Sequence, residues 1–262
     1  MVDEEGCGVS LRAGYARLCA TQRAEELNLT AMKPSTIDIC YLCGQSLAAA
    51  SHNDDHVPPR HLYSREIRST QNLSHLLTLP THTKCNSSFH LDEQYFIHTF
   101  IPLAVGSVAA TSLWSEIRGQ YVRGKNIPLR KRALAEFDER PSGLVLPYGK
   151  VIKRFDPQRV WRVVWKITRG LFFHKLALFL PEDTPRGFAI SGPDEEPPRW
   201  FPVVGSQPSQ GQYPRVFDYK YTTLDYPAPL ELIHIWAMLF WDRLITVTYF
   251  HAPSCKCEQC KR

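Results

Sequence analysis

The sequence predicts an α+β protein, with a compact ββα unit within the first hundred or so residues and a larger mixed α+β region after it. Three observations predict it. Cys40-x2-Cys43 and His82-x2-Cys85 are two knuckles about forty residues apart, bracketing a proline-rich extended stretch. A helical pattern opens directly after the second knuckle. Farther on, one well-marked helix is followed by a loop-rich stretch and two apolar arms that resemble a hairpin.

In chain order, Ser10 to Leu27 carry Leu11, Tyr15, Leu18, Cys19 and Leu27 near helical spacing, so a short amphipathic helix is predicted, ended by Lys33-Pro34-Ser35. Ile37-Asp38-Ile39 leads into the first knuckle. Val57-Pro58-Pro59 forces extended or turn backbone, because proline restricts both itself and its predecessor. Leu76-Leu77-Thr78-Leu79 reads as a buried strand ended by Pro80. A helix opens near Asn86, runs through Phe89, Tyr95, Phe96 and Phe100, and stops before Pro102. Such a unit, of about sixty residues, is small enough that a structural metal supplies much of its stability.

The clearest later helix starts at Asp156-Pro157, an N-cap followed by proline in the first turn. Val160, Val163, Val164, Ile167 and Leu171 fall on one stripe. Arg159, Arg162, Lys166 and Arg169 fall on another, roughly opposite, so one face buries while the other presents four cations. Trp161 and Trp165 lie to the side and read as core. Gly170 weakens the middle and marks a place to bend. Pro181 to Pro229 is rich in Pro, Gly, Ser and acidic residues and reads largely as loop, with Val216 to Thr222 as a candidate strand. Ile235 to Trp241 and Leu244 to Phe250 resemble hairpin arms joined at Asp242-Arg243, although the first arm is equally compatible with a helix. The resulting division is residues 1–36 as a helical segment, 37–103 as the ββα unit, and 104–262 as a basic α+β region with a Cys-rich tail.

Hydrophobic content of 44% and charged content of 22% are ordinary for a soluble globular chain of 262 residues. No run approaches the ~18 apolar residues of a membrane span, and Met-Val-Asp-Glu-Glu lacks the order of a signal peptide. A cytoplasmic protein without membrane contact is expected, so the eight cysteines read as ligands or buried thiols rather than disulfides. The net charge of +5 hides an asymmetry. Glu116 to Lys175 hold fifteen Lys/Arg against five Asp/Glu, leaving the rest of the chain net acidic. A basic segment of this size points to a polyanionic partner.

Thiolate and imidazole are the preferred zinc ligands, and x2 spacing lets two side chains converge on one ion. Cys40, Cys43, His82 and Cys85 therefore form a candidate Cys3His structural zinc site. His251 with Cys255, Cys257 and Cys260 has the composition of a second. Its compact spacing admits three readings: a zinc site, completion of a site with Cys7 or Cys19, or a tail.

Between the knuckles lies Asp54-Asp55-His56, and Asn86 follows the last cysteine. Phosphodiester hydrolysis needs an activated water, charge neutralisation at the phosphate and help for the leaving oxygen. A neutral imidazole takes a proton from water near pH 7, and a hard cation held by a carboxylate and an amide or imidazole stabilises the leaving oxygen. Asp55, His56 and Asn86 supply that set, and His90 lies one turn after Asn86 on the same helical face. Asp54 reads as a turn residue, Asp92 and Glu93 as capping or salt-bridging, and His52 and His61 as surface or substrate-contacting.

The pattern Cys40-x2-Cys43, Asp55-His56-Val57-Pro58-Pro59, His82-x2-Cys85-Asn86 and Asp92-Glu93-Gln94-Tyr95-Phe96 resembles the HNH endonucleases, the ββα-metal or His-Me finger family, in their zinc-stapled branch. The resemblance covers about residues 37–100. It implies His56 as general base, Asp55 and Asn86 as ligands of a catalytic Mg2+ or Mn2+, and His82 in place of a usual zinc-binding cysteine. The middle family position falls on His75 by spacing or on Asn72 by residue type. Asn86 and His90 both suit the last, so His90 is a further candidate ligand. The expected activity is metal-dependent DNA cleavage, with Arg159, Arg162, Lys166 and Arg169 on the phosphate backbone of double-stranded DNA. A homodimer or regulatory protein partner is compatible with this. Two alternatives stand beside it: a non-catalytic zinc module recognising nucleic acid or protein, and a nuclease gated through residues 105–262, as in an effector of phage defence.

Overall fold

The computed structural model describes residues 38–70, 76–138, 152–193, 195–197, 201–211, 213, 215–225, 232–252 and 255. By internal contacts these belong to one unit, Lys33–Arg262, distinct from Met1–Met32. The predicted helix over Ser10–Leu27, Cys7 and Cys19, Asn72 and His75, and Cys257 and Cys260 all lie outside the described residues.

The fold is α+β. After a 3-10 turn at Leu47–Ala49, β1 (His52–His56) pairs antiparallel with β2 (Thr78–His82), placing His52 opposite His82 and His56 opposite Thr78. Between them lie a second 3-10 turn, Arg60–Leu62, and α1 (Arg65–Thr70). Then come α2 (Thr83–Ser87), α3 (His90–Phe100), α4 (Val108–Val122) and α5 (Ile127–Ala135). A two-residue ladder joins β3 (Phe137–Asp138) to β4 (Ile152–Lys153). The long α6 (Pro157–Leu176) follows, then β5 (Arg186–Ser191), α7 (Phe201–Gly205), β6 (Phe217–Asp225), β7 (Leu232–Phe240) and β8 (Leu244–His251). The last four strands form one antiparallel sheet in the order β5-β8-β7-β6.

Three local expectations shift. The strand expected to end at Pro80 runs through it, because in a two-stranded ribbon a residue without an N–H is tolerated where no ladder bond is needed. The helix expected from Asn86 begins at Thr83 and is broken by a turn at Ser88–Phe89. The strand β5 falls in the stretch read as loop. The hairpin is present as β7 and β8, and its turn takes Trp241 and Asp242 to φ of 52° and 57°, the left-handed backbone that tight antiparallel connections use.

Helix α6 is the organising element. The Asp156 side chain accepts from the Arg159 amide at 3.4 Å, and Pro157 fills the first turn. The helix ends where Ala177 adopts φ 54°. From Val163 to Phe173 every residue is buried, with α3 on one side and β8 on the other. Thus Phe172 meets Phe250 edge to face at 5.6 Å, while Thr168 donates to Thr248. A single apolar cluster runs from Cys40 through α6 to Phe250. Gly170 sits inside the unbroken helix, and its role is close approach. A Cβ there would lie 2.7 Å from Val57 Cγ2, so only glycine lets α6 press against the residue that follows His56. From the other side, the Trp241 indole donates to the Leu62 carbonyl at 3.0 Å. The loop after His56 is therefore held at both ends. Among the described residues no helix is long and apolar enough to cross a membrane.

Candidate functional site

The first knuckle is a tight turn. The Cys40 amide donates to the Gln45 carbonyl at 2.9 Å and the Gly44 amide to Cys40 at 2.8 Å, with Gly44 at φ 72° where a side chain would be strained. The second knuckle straddles the end of β2: His82 is its last residue and Cys85 lies in α2. β-pairing of Ser51 and His52 with the end of β2 brings the two knuckles together. The ligand atoms of Cys40, Cys43, His82 and Cys85 all lie within 4.8 Å of one another. Ligands about 2.3 Å from a tetrahedral ion sit roughly 3.8 Å apart, so this set closes on zinc with little movement.

The surrounding groups suit the same task. His82 turns Nδ1 toward Cys43 Sγ at 3.3 Å, while its Nε2 lies 3.1 Å from the Ser46 carbonyl, which fixes the ring as ligating imidazoles are commonly fixed. Burial raises the Cys40 thiol, yet bonds from Thr81 and from backbone amides outweigh it and bring the value down to about 7. Cys85 is pushed up to about 12 by burial and by the negative charge of Cys40 and Cys43. Zinc binds cysteine as thiolate and would relieve the crowding of negative charge that raises Cys85, and the four residues could hold a metal such as zinc. Arg169, 1% exposed, braces the knuckle from α6 by donating to the carbonyls of Leu42 and of Leu180, the latter at 2.8 Å.

Beside this centre lies a cleft of about 340 Å³ lined by Asp55, His56, Arg60, His61, Asn86, His90 and Glu93 among others. His56 ends β1 and is half-buried. Burial, then the Arg60 charge, lowers its pKa below the ordinary imidazole value, against the pull of Asp55 and Asp54. Its imidazole is therefore largely neutral at neutral pH. Burial likewise lowers His61, whose ring meets that of His90 edge-on at 6.0 Å. The Gln94 amide donates to His90 Nε2 at 3.0 Å.

The residues nominated for a catalytic cation are arranged differently from expectation. Asp55 is 5% exposed. Its two oxygens lie 2.8 and 3.1 Å from Lys166 Nζ, and the Tyr41 hydroxyl donates to it as well. Asn86 Oδ1 accepts from the same ammonium at 3.3 Å, and Glu93 Oε1 does so at 2.5 Å. Burial and the adjacent Asp55 charge push the Tyr41 phenol well above its usual range, so it remains a donor. The point where the Asp55 and Asn86 oxygens converge is thus filled by an ammonium, and in this arrangement they do not fit a Mg2+ or Mn2+ ion. His90 lines the cleft without joining that convergence. Among the described residues the Cys3His set is the one group of three or more His, Cys, Asp or Glu side chains placed to hold a metal.

The four-cation stripe is corrected too. Arg159 Nε and Arg162 Nη1 each bond the Asp92 carboxylate at 2.6 Å. They stack over Tyr95 and Phe89 with guanidinium carbons 4.4 and 4.3 Å from the ring centroids. Lys166 and Arg169 are each 1% exposed. Lys166 and Arg169 are thus turned inward onto the carboxylates and the knuckle and are not free for a phosphate backbone, whereas Arg159 and Arg162 stay partly exposed, at 22% and 38% of their side chains, while holding Asp92. The reading of Asp92 as a salt-bridging residue is what the contacts show. Asp54, expected in a turn, lies in β1.

Sequence reasoning missed Tyr41, Arg60 and the pairing of Lys166 with Asp55. Tyr41 sits inside the first knuckle and Arg60 two residues after Val57-Pro58, so both were adjacent to recognised motifs. Lys166 is 111 residues from Asp55, and no local signal joins them. In the tail, Cys255 is buried with Sγ 3.4 Å from His251 Nδ1. Comparison of the chain with protein-family models, curated proteins and solved structures finds no match.

Proposed function

We propose that the protein is a nucleic-acid phosphodiester hydrolase of the HNH type, with His56 as the base that activates water and the Cys3His centre as a structural zinc site. One observation carries this reading: a half-buried histidine, its pKa lowered by burial and by Arg60, lines a polar cleft beside a four-ligand metal-type cluster. A purely structural module has no need of a base kept neutral in a cleft. Arg60 and His61 line the same cleft. A guanidinium there neutralises phosphate charge, and imidazoles serve proton transfer to or from the scissile group. Double-stranded DNA is the substrate the family resemblance favours.

The test is cleavage of plasmid, single-stranded DNA and RNA by the full chain, with and without added divalent ions. His56→Ala should lower the rate by about 10²–10⁴-fold while circular dichroism and zinc content stay unchanged. An active, well-folded His56→Ala protein removes the proposed base. A second reading, a non-catalytic module that binds nucleic acid or a protein, draws on one observation: Asp55, Asn86 and Glu93 direct acceptors to Lys166 rather than to solvent. Binding of nucleic acid without cleavage of any substrate under any ion favours it.

A further inference from the structure

We propose that Lys166 is a built-in counter-cation behind this cleft, standing where Asp55 and Asn86 would otherwise hold a divalent ion, so that the chain acts at His56 without bound Mg2+ or Mn2+. The last clause rests on the hydrolase reading; the occupancy does not.

Geometry comes first. Four oxygen acceptors from three segments of chain surround one nitrogen: both oxygens of Asp55, Asn86 Oδ1 and Glu93 Oε1, between 2.5 and 3.3 Å. A carboxylate offers about four lone-pair positions. Asp55 directs both oxygens to Lys166 and accepts from Tyr41 too. Mg2+ demands near-octahedral oxygen ligation at about 2.0–2.1 Å, and an ammonium already occupies the point where these oxygens converge.

Anchorage comes second. Lys166 is 1% exposed, in the stretch of α6 where every residue is buried. One turn later Arg169 is tied to Leu42 and Leu180, and Gly170 presses against Val57. The lysine cannot swing out as a surface side chain does; to withdraw it, α6 would have to part from the core.

Charge comes third. Asp55 and Glu93 are two carboxylates at 5% and 7% exposure. Buried carboxylates of like charge need an internal counter-ion, and Lys166 supplies it from α6. Lys166 lies behind the Asp55–Glu93 wall and does not itself line the cleft, so it is a positioning residue: it fixes the wall on which His56 stands. The cation that faces the cleft is Arg60.

The experiment measures Mn2+ binding by electron paramagnetic resonance on the full chain, zinc content being followed in parallel, together with cleavage assays with Mn2+ present or omitted. The expected results are that wild type and Asp55→Asn show the same Mn2+ binding, and that wild-type cleavage is unchanged when Mn2+ is omitted. Lys166→Met should gain a single Mn2+, lost again in Lys166→Met/Asp55→Asn, and its unfolding midpoint should rise with Mn2+ while that of wild type does not move. Mn2+ bound by wild type and lost in Asp55→Asn overturns the proposal, as does a folded Lys166→Met that gains none. Cleavage that requires added Mn2+ overturns the metal-independence while leaving the hydrolase reading intact. Absence of cleavage under every ion sinks the hydrolase reading, and the binding results then still decide the occupancy. Should Lys166→Met fail to fold, the wild-type and Asp55→Asn pair decides alone.

Discussion

Two clusters of this molecule solve the same electrostatic problem in opposite ways. Around Cys40, Cys43, His82 and Cys85, four donors converge within 4.8 Å, and the Arg169 guanidinium that acts on Cys40 and Cys43 from α6 bonds backbone carbonyls rather than the sulfurs. Around Asp55, Glu93 and Asn86, the oxygens converge on an ammonium that the chain supplies itself. The first cluster could take its cation from outside as a metal ion; the second carries one on α6. The difference follows from chemistry. Thiolates bind a soft or borderline ion far better than they bind an ammonium, while carboxylates accept charge-assisted hydrogen bonds from lysine readily. Arg169 and Lys166, three residues apart on α6, express the contrast: Arg169 braces the knuckle through backbone carbonyls and Lys166 enters the carboxylates directly.

The largest expected effect breaks the comparison on the imported side. Structural zinc contributes about 10–16 kcal/mol of apparent binding free energy in small metal-folded units, comparable to or above the whole stability of a typical domain, about 5–15 kcal/mol. Cys40→Ser should therefore lose the metal and the cooperative unfolding transition of the β1–β2 region. Metal analysis and thermal unfolding read this out. Retention of zinc with an unchanged midpoint would mean that the Cys3His set is not what holds the knuckles together.

The next effect tests the internal side. Removing one partner of a buried charge pair costs about 3–5 kcal/mol, because the other is left unpaired in a poor solvent. Lys166→Met without divalent ions should lose an amount of this size in urea unfolding. Lys166→Arg should lose less, since it keeps the charge but brings a planar group into a site shaped for a compact one. Equal stability of wild type and Lys166→Met would show that Asp55 and Glu93 need no counter-ion.

The two clusters also differ in how far they could be read from sequence. The ligand set was legible because short spacing does the geometric work: x2 separation places two donors on one turn, so only one long-range pairing had to be guessed. Helix α6 was legible from its start to its apolar stripe for the same reason, since Asp156, Pro157 and the Val160–Leu171 periodicity are local. The direction of its polar stripe was not. Four cations on one helical face read as a solvated surface unless the partners are known, and Asp92, Glu93 and Asp55 lie 67 to 111 residues away. Strand β1 was equally hidden: His-Asn-Asp-Asp-His has no apolar alternation, and it becomes a strand only because β2 pairs with it. Tertiary pairing overrides local propensity there.

A smaller effect sharpens the link between α6 and the cleft. At Gly170 an added Cβ would stand 2.7 and 2.8 Å from the two γ-methyl groups of Val57. Overpacking of this kind costs about 1–3 kcal/mol. Gly170→Ala should lower stability within that range, shift the amide resonances of His56 and Val57, and leave zinc content unchanged. Movement at the knuckle instead would show that α6 is coupled to the imported cation rather than to the histidine.

The smallest effect compares a buried charge with an exposed one. Lys166 acts on Asp55 at 2.8 Å inside the core, whereas Arg60 acts on His56 from the exposed edge of the cleft, second to burial in lowering its pKa. Between this depressed value and 6.5, the ordinary imidazole value, the unfolded chain binds the His56 proton more readily than the folded one. The contribution of His56 to stability is therefore complete above 6.5 and declines as pH falls toward the folded value. Replacing Arg60 with Gln removes the cationic part of the depression and leaves the burial part. The ring-proton titration of His56 should move up, and added salt should reproduce part of the shift in wild type, because an exposed charge is screened and a buried one is not. Hydrolysis, if His56 is the base, should show its acid limb moving by the same amount. A titration that ignores both Arg60→Gln and salt would assign the depression to burial alone and leave Arg60 without influence on the base.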